Sequence, residues 1–331
     1  MKNILSKLII LLILTILLIP GNHVLAKKVD YYYSPFTGLP AKEQSLQKVV
    51  MTIIENSPRS RPQSGLDEAS IVYEYLVEGG ITRFLALYWK TIPDKMGPIR
   101  SARPYLIETA KAYNALLLHA GASPDGFKML QKNYVTDLDQ IFNGNYYWRS
   151  SNRDIPHNLY TGHFKIKDYL NNLTGQEYKP RFDFQQISFV NPEKLKAKEI
   201  TIKYWGNYKV LYRYNSNNNN YLRFLDNFKK PHLTGEGKQL KADNIIVQFV
   251  DTKVKDNKGR LNLIINGKGK GLLFKDGNVK ELNWKKTENN WTKFYNNDKT
   301  IKVNPGKTWI QVVPRSAKVS YQRSDDNGQK N

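Results

Sequence analysis

Short apolar segments separated by glycine and proline predict strands in the first half of the chain. Residues 49–54 form one apolar strand, and residues 71–78 alternate cleanly between two faces. Gly79-Gly80 can supply the positive φ angles of a tight turn, after which residues 83–89 return as a second strand. Because this returning strand is almost entirely apolar, we predict that it is covered on both faces.

Helix signals follow these strands. Pro104 stands at a favourable first helical position, and apolar residues then recur at helical spacing. Residues 115–118 form a buried strand, and Ser123 caps a further helix just downstream. Strands that alternate with helices predict an N-terminal α/β domain with a mixed sheet over residues 49–184. Residues 27–48 are polar and turn-rich, which indicates an extended lead-in.

The second half of the chain has the pattern of a β-rich domain. Turns such as Asp276-Gly277 separate short apolar runs, so we predict an antiparallel β-rich C-terminal domain over residues 195–318. The predicted strands are residues 200–204, 209–214, 221–224, 245–250, 261–265, 271–274 and 309–313. Residues 319–331 are polar and predicted to be a disordered tail. The fold class is therefore α+β or α/β, with little helix in the second half.

The first 26 residues have the pattern of a secretory signal peptide. Lys2 and Lys7 give a basic start, residues 8–19 form an apolar core, and Ala26 ends an A-x-A-like cleavage site. The apolar run is shorter than the roughly 20 residues that span a membrane comfortably. We expect export with cleavage, with an uncleaved anchor as the alternative.

The positive charge is concentrated in the second half. The formal net charge is +22; residues 27–185 contain 20 Lys/Arg and 16 Asp/Glu, whereas residues 186–331 contain 29 and 13. A basic module outside the membrane suits an anionic wall polymer or an acidic membrane surface. The alternative is a solvated, lysine-rich surface without a partner. Export argues against nucleic acid as a partner.

Seven motifs, in order along the chain, resemble those of the YerB-like lipoprotein family. They are Pro35-Phe-Thr-Gly-Leu-Pro40, Arg61-Pro-Gln-Ser-Gly-Leu66, Glu78-Gly-Gly-Ile-Thr-Arg83-Phe-Leu-Ala-Leu-Tyr88, Gly97-Pro-Ile-Arg100-Ser-Ala-Arg103-Pro104, His119-Ala-Gly-Ala-Ser123-Pro124, Pro156-His157-Asn158 and Lys307-Thr-Trp309-Ile-Gln-Val-Val-Pro314. The resemblance spans about residues 34–314. It implies an extracytoplasmic protein of Gram-positive bacteria, built from an N-terminal and a C-terminal domain of unknown function. It implies no reaction.

The chain departs from this family at one point of chemistry. Lipid attachment needs a cysteine, and the chain has none. We therefore expect no thioether-linked lipid, and no disulfide or thiolate metal site. The protein would instead be released, held at the wall by charge, or kept by an uncleaved signal.

Arginines near the start of the first predicted helix are the strongest candidate for binding chemistry. Arg100 and Arg103 flank Ser101, and Arg83 on the preceding strand could join them around a phosphate, pyrophosphate or carboxylate. The alternative is a set of internal ion pairs with the supporting residues Glu74 and Glu78. Those two glutamates lie about 13 Å apart along a strand, too far for a hydrolytic carboxylate pair.

Polar residues of two loops complete the candidate site. His119 follows a buried strand, and Ser123 comes four residues later. His157 and Asn158 share a second loop, which the family resemblance makes more interesting. The histidines could act as acid and base, although structural packing is the alternative for each. No metal site is predicted, because His157 and His163 lack a zinc spacing.

A glycine- and lysine-rich segment, residues 267–271, superficially resembles a phosphate-binding loop. It leads into a predicted strand rather than a helix, so we predict a hairpin turn there.

Three functions are consistent with these features. The first is an accessory or binding factor that recognises an anionic envelope ligand and has no cofactor. The second is an enzyme of cell-wall glycopolymer metabolism, transferring phosphoryl or glycosyl-phosphate groups with a divalent cation. The third is a structural or partner-binding scaffold in which the arginines are internally paired. The sequence leaves open whether the protein is an enzyme.

Overall fold

A twelve-stranded mixed sheet runs through the molecule and takes strands from both halves of the chain. The computed structural model describes residues 32–41, 48–185, 195–206, 208–225 and 227–322. The predicted signal peptide and most of the predicted tail lie outside these residues, as does part of the lead-in. No helix of the described residues is long and apolar enough to cross a membrane.

The first half of the described chain contains ten strands and three α-helices. The strands are β1 (Tyr32–Tyr33), β2 (Pro40–Ala41), β3 (Val50–Glu55), β4 (Ile71–Leu76), β5 (Thr82–Tyr88), β6 (Leu116–His119), β7 (Thr136–Asp139), β8 (Trp148–Arg149), β9 (Leu159–Tyr160) and β10 (Asp183–Phe184). The helices are α1 (Pro104–Ala112), α2 (Pro124–Leu130) and α3 (His163–Asn171).

The regular elements among the described residues of the second half are all strands. These strands are β11 (Glu199–Lys203), β12 (Lys209–Asn215), β13 (Asn220–Leu225), β14 (Lys230–Pro231), β15 (Lys241–Ala242), β16 (Asn244–Val254), β17 (Leu261–Ile264), β18 (Gly267–Lys275), β19 (Asn278–Lys286), β20 (Lys293–Asn296), β21 (Lys299–Thr300), β22 (Lys302–Val303), β23 (Thr308–Pro314) and β24 (Lys318–Gln322). Each of the seven strands predicted here is confirmed.

The central sheet has the strand order β21-β20-β19-β18-β16-β23-β4-β5-β3-β6-β7, with β17 paired to β16. The pairs β3–β6, β6–β7, β4–β23 and β16–β23 are parallel, and the other neighbours are antiparallel. The predicted mixed sheet is confirmed. Because β23 lies between β4 and β16, the two halves share one sheet; the predicted domain boundaries stay predictions.

Strand β4 shows why alternation was a reliable signal. Tyr73 and Tyr75 point into the apolar cluster on one face of the sheet, and Val72 and Leu76 into the cluster on the other. Strand β5, which follows the turn at Gly79-Gly80, is almost completely buried, as predicted. The middle of the sheet is therefore packed on both sides.

Both predicted helix starts are confirmed. Helix α1 begins at Pro104, and the Ser123 hydroxyl accepts a hydrogen bond of 3.3 Å from the Gly126 amide at the start of α2. The predicted hairpin turn at residues 267–271 is wrong, because β18 starts at Gly267 and runs through the segment. The glycines allow β18 to pack against a side chain of β19 instead of forming a turn, because the ring of Trp284 lies where a Cβ at position 269 would stand.

A second sheet of six strands packs beside the central one, in the order β14-β13-β12-β11-β24 with β15 paired to β13. A buried ion pair joins the two sheets: Arg223 Nη1 of β13 lies 3.0 Å from Glu74 Oε2 of β4, and neither side chain is more than 1% exposed. Tyr208 and Thr82 also donate hydrogen bonds to Glu74. Glu74 therefore links the second sheet to the central sheet.

Candidate functional site

The parallel strands β3, β6 and β7 bring their carboxyl ends to one edge of the central sheet, where open α/β sheets commonly bind ligands. Segment 99–103 runs along this edge. Its Arg100 amide donates to Ile53 O at 3.0 Å, and its Ala102 amide donates to Gly121 O at 2.9 Å. These backbone bonds place the predicted arginines at the carboxyl edge, just before α1.

Arg100 is held by a carboxylate at the end of β3. Its Nη2 and Nε lie 2.9 and 2.8 Å from the two oxygens of Glu55. His157 Nδ1 lies 2.9 Å from Glu55 Oε2, so this ring nitrogen carries the proton that it donates to the carboxylate. Burial alone would raise the pKa of Glu55, but hydrogen bonds from Arg100, His157 and Ser57 hold that pKa below its ordinary value. The pair of Arg100 and Glu55 is a bidentate, charge-assisted contact.

Arg103 makes a second contact of the same kind. Its Nε and Nη2 donate to the two oxygens of Glu78 at 2.7 and 3.0 Å, and its Nη1 donates to Ala102 O. Burial would raise the pKa of Glu78, but the contact with Arg103 keeps it lowered. Glu78 therefore orients Arg103.

Arg83 lies between these two pairs and has no carboxylate within ion-pair distance among the described residues. Its Nη1 donates to Ser101 O at 2.6 Å, while its Nε is buried without a hydrogen-bond partner. Burial, together with the positive charge of Arg103, lowers the pKa of Arg83 to about 10. We call Arg83, Arg100 and Arg103 the arginine cluster.

The arginine cluster has more positive than negative charge. Three guanidinium groups face two carboxylates, those of Glu55 and Glu78, so one positive charge is not compensated locally. The cluster is partly open to solvent, since the Arg100 and Glu78 side chains are 23% and 20% exposed. A buried cation without a counter-ion is costly, and an anion that reaches it would be stabilised.

His119 is brought to the same edge but is enclosed. The side chain is fully buried, with Nδ1 3.0 Å from Gly121 O and Nε2 3.0 Å from Asp137 Oδ2. Asp139 accepts hydrogen bonds from the Gly121 and Ile141 amides, while its Oδ2 is buried without a partner. These contacts tie β6, β7 and the loop after β6 together, and the ring has no exposed surface for a ligand.

Ser123 and Asn158 hold loops around the cluster. Ser123 caps α2 and lines, with Arg103, a cavity of about 290 Å³ between α1, α2 and β17. Asn158 is buried; its amide donates to Ser150 O and its Oδ1 accepts from Arg149. Asn158 therefore stabilises the loop that presents His157.

Glu74 does not join the arginine cluster. It projects from the face of β4 opposite to Tyr75, and Tyr75 is the register partner of Arg83. Sequence reasoning missed Glu55, whose only signal was an acidic residue at the end of an apolar strand. It also missed Asp137 and Arg223. Within the described ranges, no three His, Asp or Glu side chains are grouped as a metal site requires.

Comparison with known proteins agrees with the motif resemblance. The chain matches the family models described as "Protein of unknown function (DUF3048) N-terminal domain" over residues 36–177 and as the corresponding C-terminal domain over residues 200–310. It is 33% identical over 303 residues to the protein named "Putative lipoprotein YerB" of Bacillus subtilis, covering 87% of each chain. The crystal structure of YerB from Bacillus subtilis matches with a TM-score of 0.77 at 32% identity, over 87% of this chain and 99% of that one. The chain therefore belongs to the YerB-like family of DUF3048 proteins.

Proposed function

We propose that this protein is an extracytoplasmic accessory or binding factor of the cell envelope that recognises a phosphate- or carboxylate-bearing ligand at the arginine cluster. The name of the Bacillus subtilis relative, "Putative lipoprotein YerB", supports the location. The observation that carries the proposal is Arg83, a largely buried guanidinium with an unpartnered Nε beside two further arginines. An anion would supply the counter-charge that the described residues leave out.

The chemistry of recognition follows from the two bidentate contacts. Glu55 and Glu78 hold Arg100 and Arg103 in fixed orientations, so little side-chain entropy is lost when an anion approaches. Arginine binds phosphate and carboxylate oxygens in a forked geometry, which suits it to this ligand class. The anion competes with Glu78 for the Arg103 fork or approaches the cluster from its exposed side.

A scaffold without a small-molecule site is the second candidate. The observation in its favour is that Arg100 and Arg103 are each satisfied by a carboxylate of the same chain. The transferase alternative needs a free acidic side chain beside the arginines to hold a divalent cation, whereas Glu55 and Glu78 are both engaged by arginine. We do not propose that function.

Calorimetric titration of pyrophosphate into the full chain separates the two candidates. The Arg100→Ala/Arg103→Ala variant should lose binding and still unfold cooperatively. A matched control is Arg213→Ala/Lys238→Ala, which removes two cations that are also paired with carboxylates elsewhere on the surface. Equal heats for wild type and the Arg100/Arg103 variant would refute the proposal, and so would an absence of binding to wild type. If the variant fails to fold, Arg100→Lys/Arg103→Lys keeps the charge but removes the forks, and retained affinity would refute forked recognition.

A further inference from the structure

Three lysines form a row across the strands β18, β19 and β20. Lys268 is the register partner of Lys285, and Lys285 is the register partner of Lys293. All three are exposed, and no ion pair or side-chain hydrogen bond is found for them within the described residues. Like charges directly opposite each other on neighbouring strands destabilise a sheet. We call these residues the lysine row.

Glycine and lysine alternate over residues 267–271, so the glycines lie on one face of β18 and Lys268 and Lys270 lie on the other. A Cβ on Gly269 would stand 2.6 Å from Trp284 Nε1, and one on Gly271 would stand 2.7 Å from Leu282 Cδ1. The aromatic and aliphatic side chains of β19 therefore cover the glycines on one face. Lys268 and Lys270 alternate with them and project from the other face, about 7 Å apart along the strand.

A groove of about 720 Å³ begins beside the lysine row on the same face of the sheet. Its lining includes Phe249, Leu272 and Val319, together with Tyr321 of β24, which is 39% exposed. The charged residues of the lining are Lys270, Arg315 and Glu281. We call it the lysine groove; it offers apolar and aromatic surface next to positive charge.

We propose that the lysine row and the lysine groove bind a linear phosphodiester polymer, one whose charges are spaced along a flexible chain. This site is separate from the arginine cluster and goes beyond the proposed function. Residues 261–322 contain 12 Lys/Arg and four Asp/Glu, so the surrounding charge favours a polyanion. Adjacent strands lie about 4.8 Å apart, which places the outer two lysines of the row about 10 Å apart in line.

The lysine row and the lysine groove suit a linear polymer better than a membrane surface. Leu272 and Val319 line the groove and are only partly exposed, so they offer little apolar surface for insertion into a lipid layer. Lysine ammonium groups act as point charges, which suits a flexible polymer that binds in more than one register. Tyr321 adds a ring face against which a polyol or sugar unit can pack.

The chain also contains its own control. Lys318, Lys203 and Lys209 form a second row across β24, β11 and β12, with the same register relation and with all three exposed. Neither row lines the lysine groove itself. Lys268 lies two residues before the lining residue Lys270 and on the same face of β18, whereas Lys318 alternates with the lining residues Ala317 and Val319 and projects from the other face of β24. Replacing either row removes the same charge from the same half of the chain, so a difference between the two reports the position of the lysines rather than net charge.

The test measures binding of dye-labelled poly(glycerol phosphate) to the full chain by fluorescence anisotropy at several salt concentrations. Lys268→Gln/Lys285→Gln/Lys293→Gln should weaken binding roughly tenfold or more at low salt. It should also lower the log–log salt slope by at most about 2, by analogy with single-stranded nucleic acids. Lys203→Gln/Lys209→Gln/Lys318→Gln should change affinity much less. All six lysines are exposed, and relief of like-charge repulsion should leave the thermal stability of both variants close to that of wild type, although the control also loses the hydrogen bond from Lys209 to Asn227.

Equal losses in the two triple variants would reduce the effect to net charge and overturn the proposal. Stronger binding to phosphatidylglycerol vesicles than to the polymer, with the same dependence on the lysine row, would overturn the choice of a chain over a membrane. The Arg100→Ala/Arg103→Ala variant should keep its polymer affinity, and the lysine-row variant should keep its pyrophosphate affinity. The two proposals can therefore fail separately.

Discussion

Replacement of Glu78 by glutamine separates an anion site from a scaffold. Pyrophosphate affinity should rise if the arginine cluster is an anion site, and it should stay unchanged or fall if the cluster is a scaffold. In wild type, Glu78 occupies Arg103 through two hydrogen bonds of 2.7 and 3.0 Å. Glutamine keeps the shape and one acceptor but removes the negative charge. The cluster then has three guanidinium groups and only the Glu55 carboxylate.

The expected magnitudes follow from the exposure of the pair. Hydrogen bonds to charged groups contribute about 1.5 to 3 kcal/mol, and partial solvent screening at 13% and 20% exposure lowers this. We expect the free energy of unfolding to fall by about 1 to 2 kcal/mol. Removing a unit charge about 6 Å from a bound anion at an effective dielectric between about 30 and 60 should favour the anion by about 1 to 2 kcal/mol. Pyrophosphate affinity should rise roughly 5- to 30-fold.

The assay is calorimetric titration of pyrophosphate, with urea unfolding of the same samples. Glu199→Gln is the matched control, because it releases Arg213 from a contact of 2.7 Å on a different sheet. A loss of stability with unchanged or weaker pyrophosphate binding in Glu78→Gln would refute the reasoning and favour the scaffold. An equal gain in Glu199→Gln would show that only net charge matters.

Three further predictions concern the fold that holds the cluster. Arg223→Met should lower the free energy of unfolding in urea by about 3 to 5 kcal/mol, because it leaves Glu74 charged and buried, whereas adding Glu74→Gln should recover much of the loss. The pKa of Glu55 is lowered in the folded state, so the glutamate adds to the free energy of unfolding above its ordinary pKa of 4.5, and this stabilisation is lost as pH falls through the folded pKa. Acid unfolding of Glu55→Gln should therefore depend less steeply on pH than that of wild type. Gly162→Ala should lower the midpoint of thermal unfolding, because its Cβ would overlap a facing backbone carbonyl, while Gly144→Ala, which has open space, should not.

The elements that the sequence predicted well are those with strong local patterns. The alternation in β4 and the proline start of α1 depend on neighbours in the chain, and both appear in the structure. Strand β7 was missed because its sequence, Thr-Asp-Leu-Asp, has one apolar residue and no visible period. Helix α3 was missed for a related reason, since Ile166 is its one buried residue.

The contacts of the candidate site could be predicted only in part, because they are long-range. The glutamate that binds Arg100 is 45 residues away in sequence, and the arginine that binds Glu74 is 149 residues away. Nothing local distinguishes an arginine bound to a carboxylate from one that awaits a ligand. The insertion of β23 beside β4 is equally non-local, because it joins the two halves of the chain in one sheet.

A crystal structure grown with tungstate, an oxyanion that can be located by its anomalous scattering, would test the central claim most directly. The account predicts an anomalous peak at the arginine cluster, with the ion beside the guanidinium group of Arg83 and in contact with those of Arg100 and Arg103. Clear maps in which Arg100 and Arg103 still bind Glu55 and Glu78, with no peak beside them, would contradict it and leave the cluster as an internal ion-pair network.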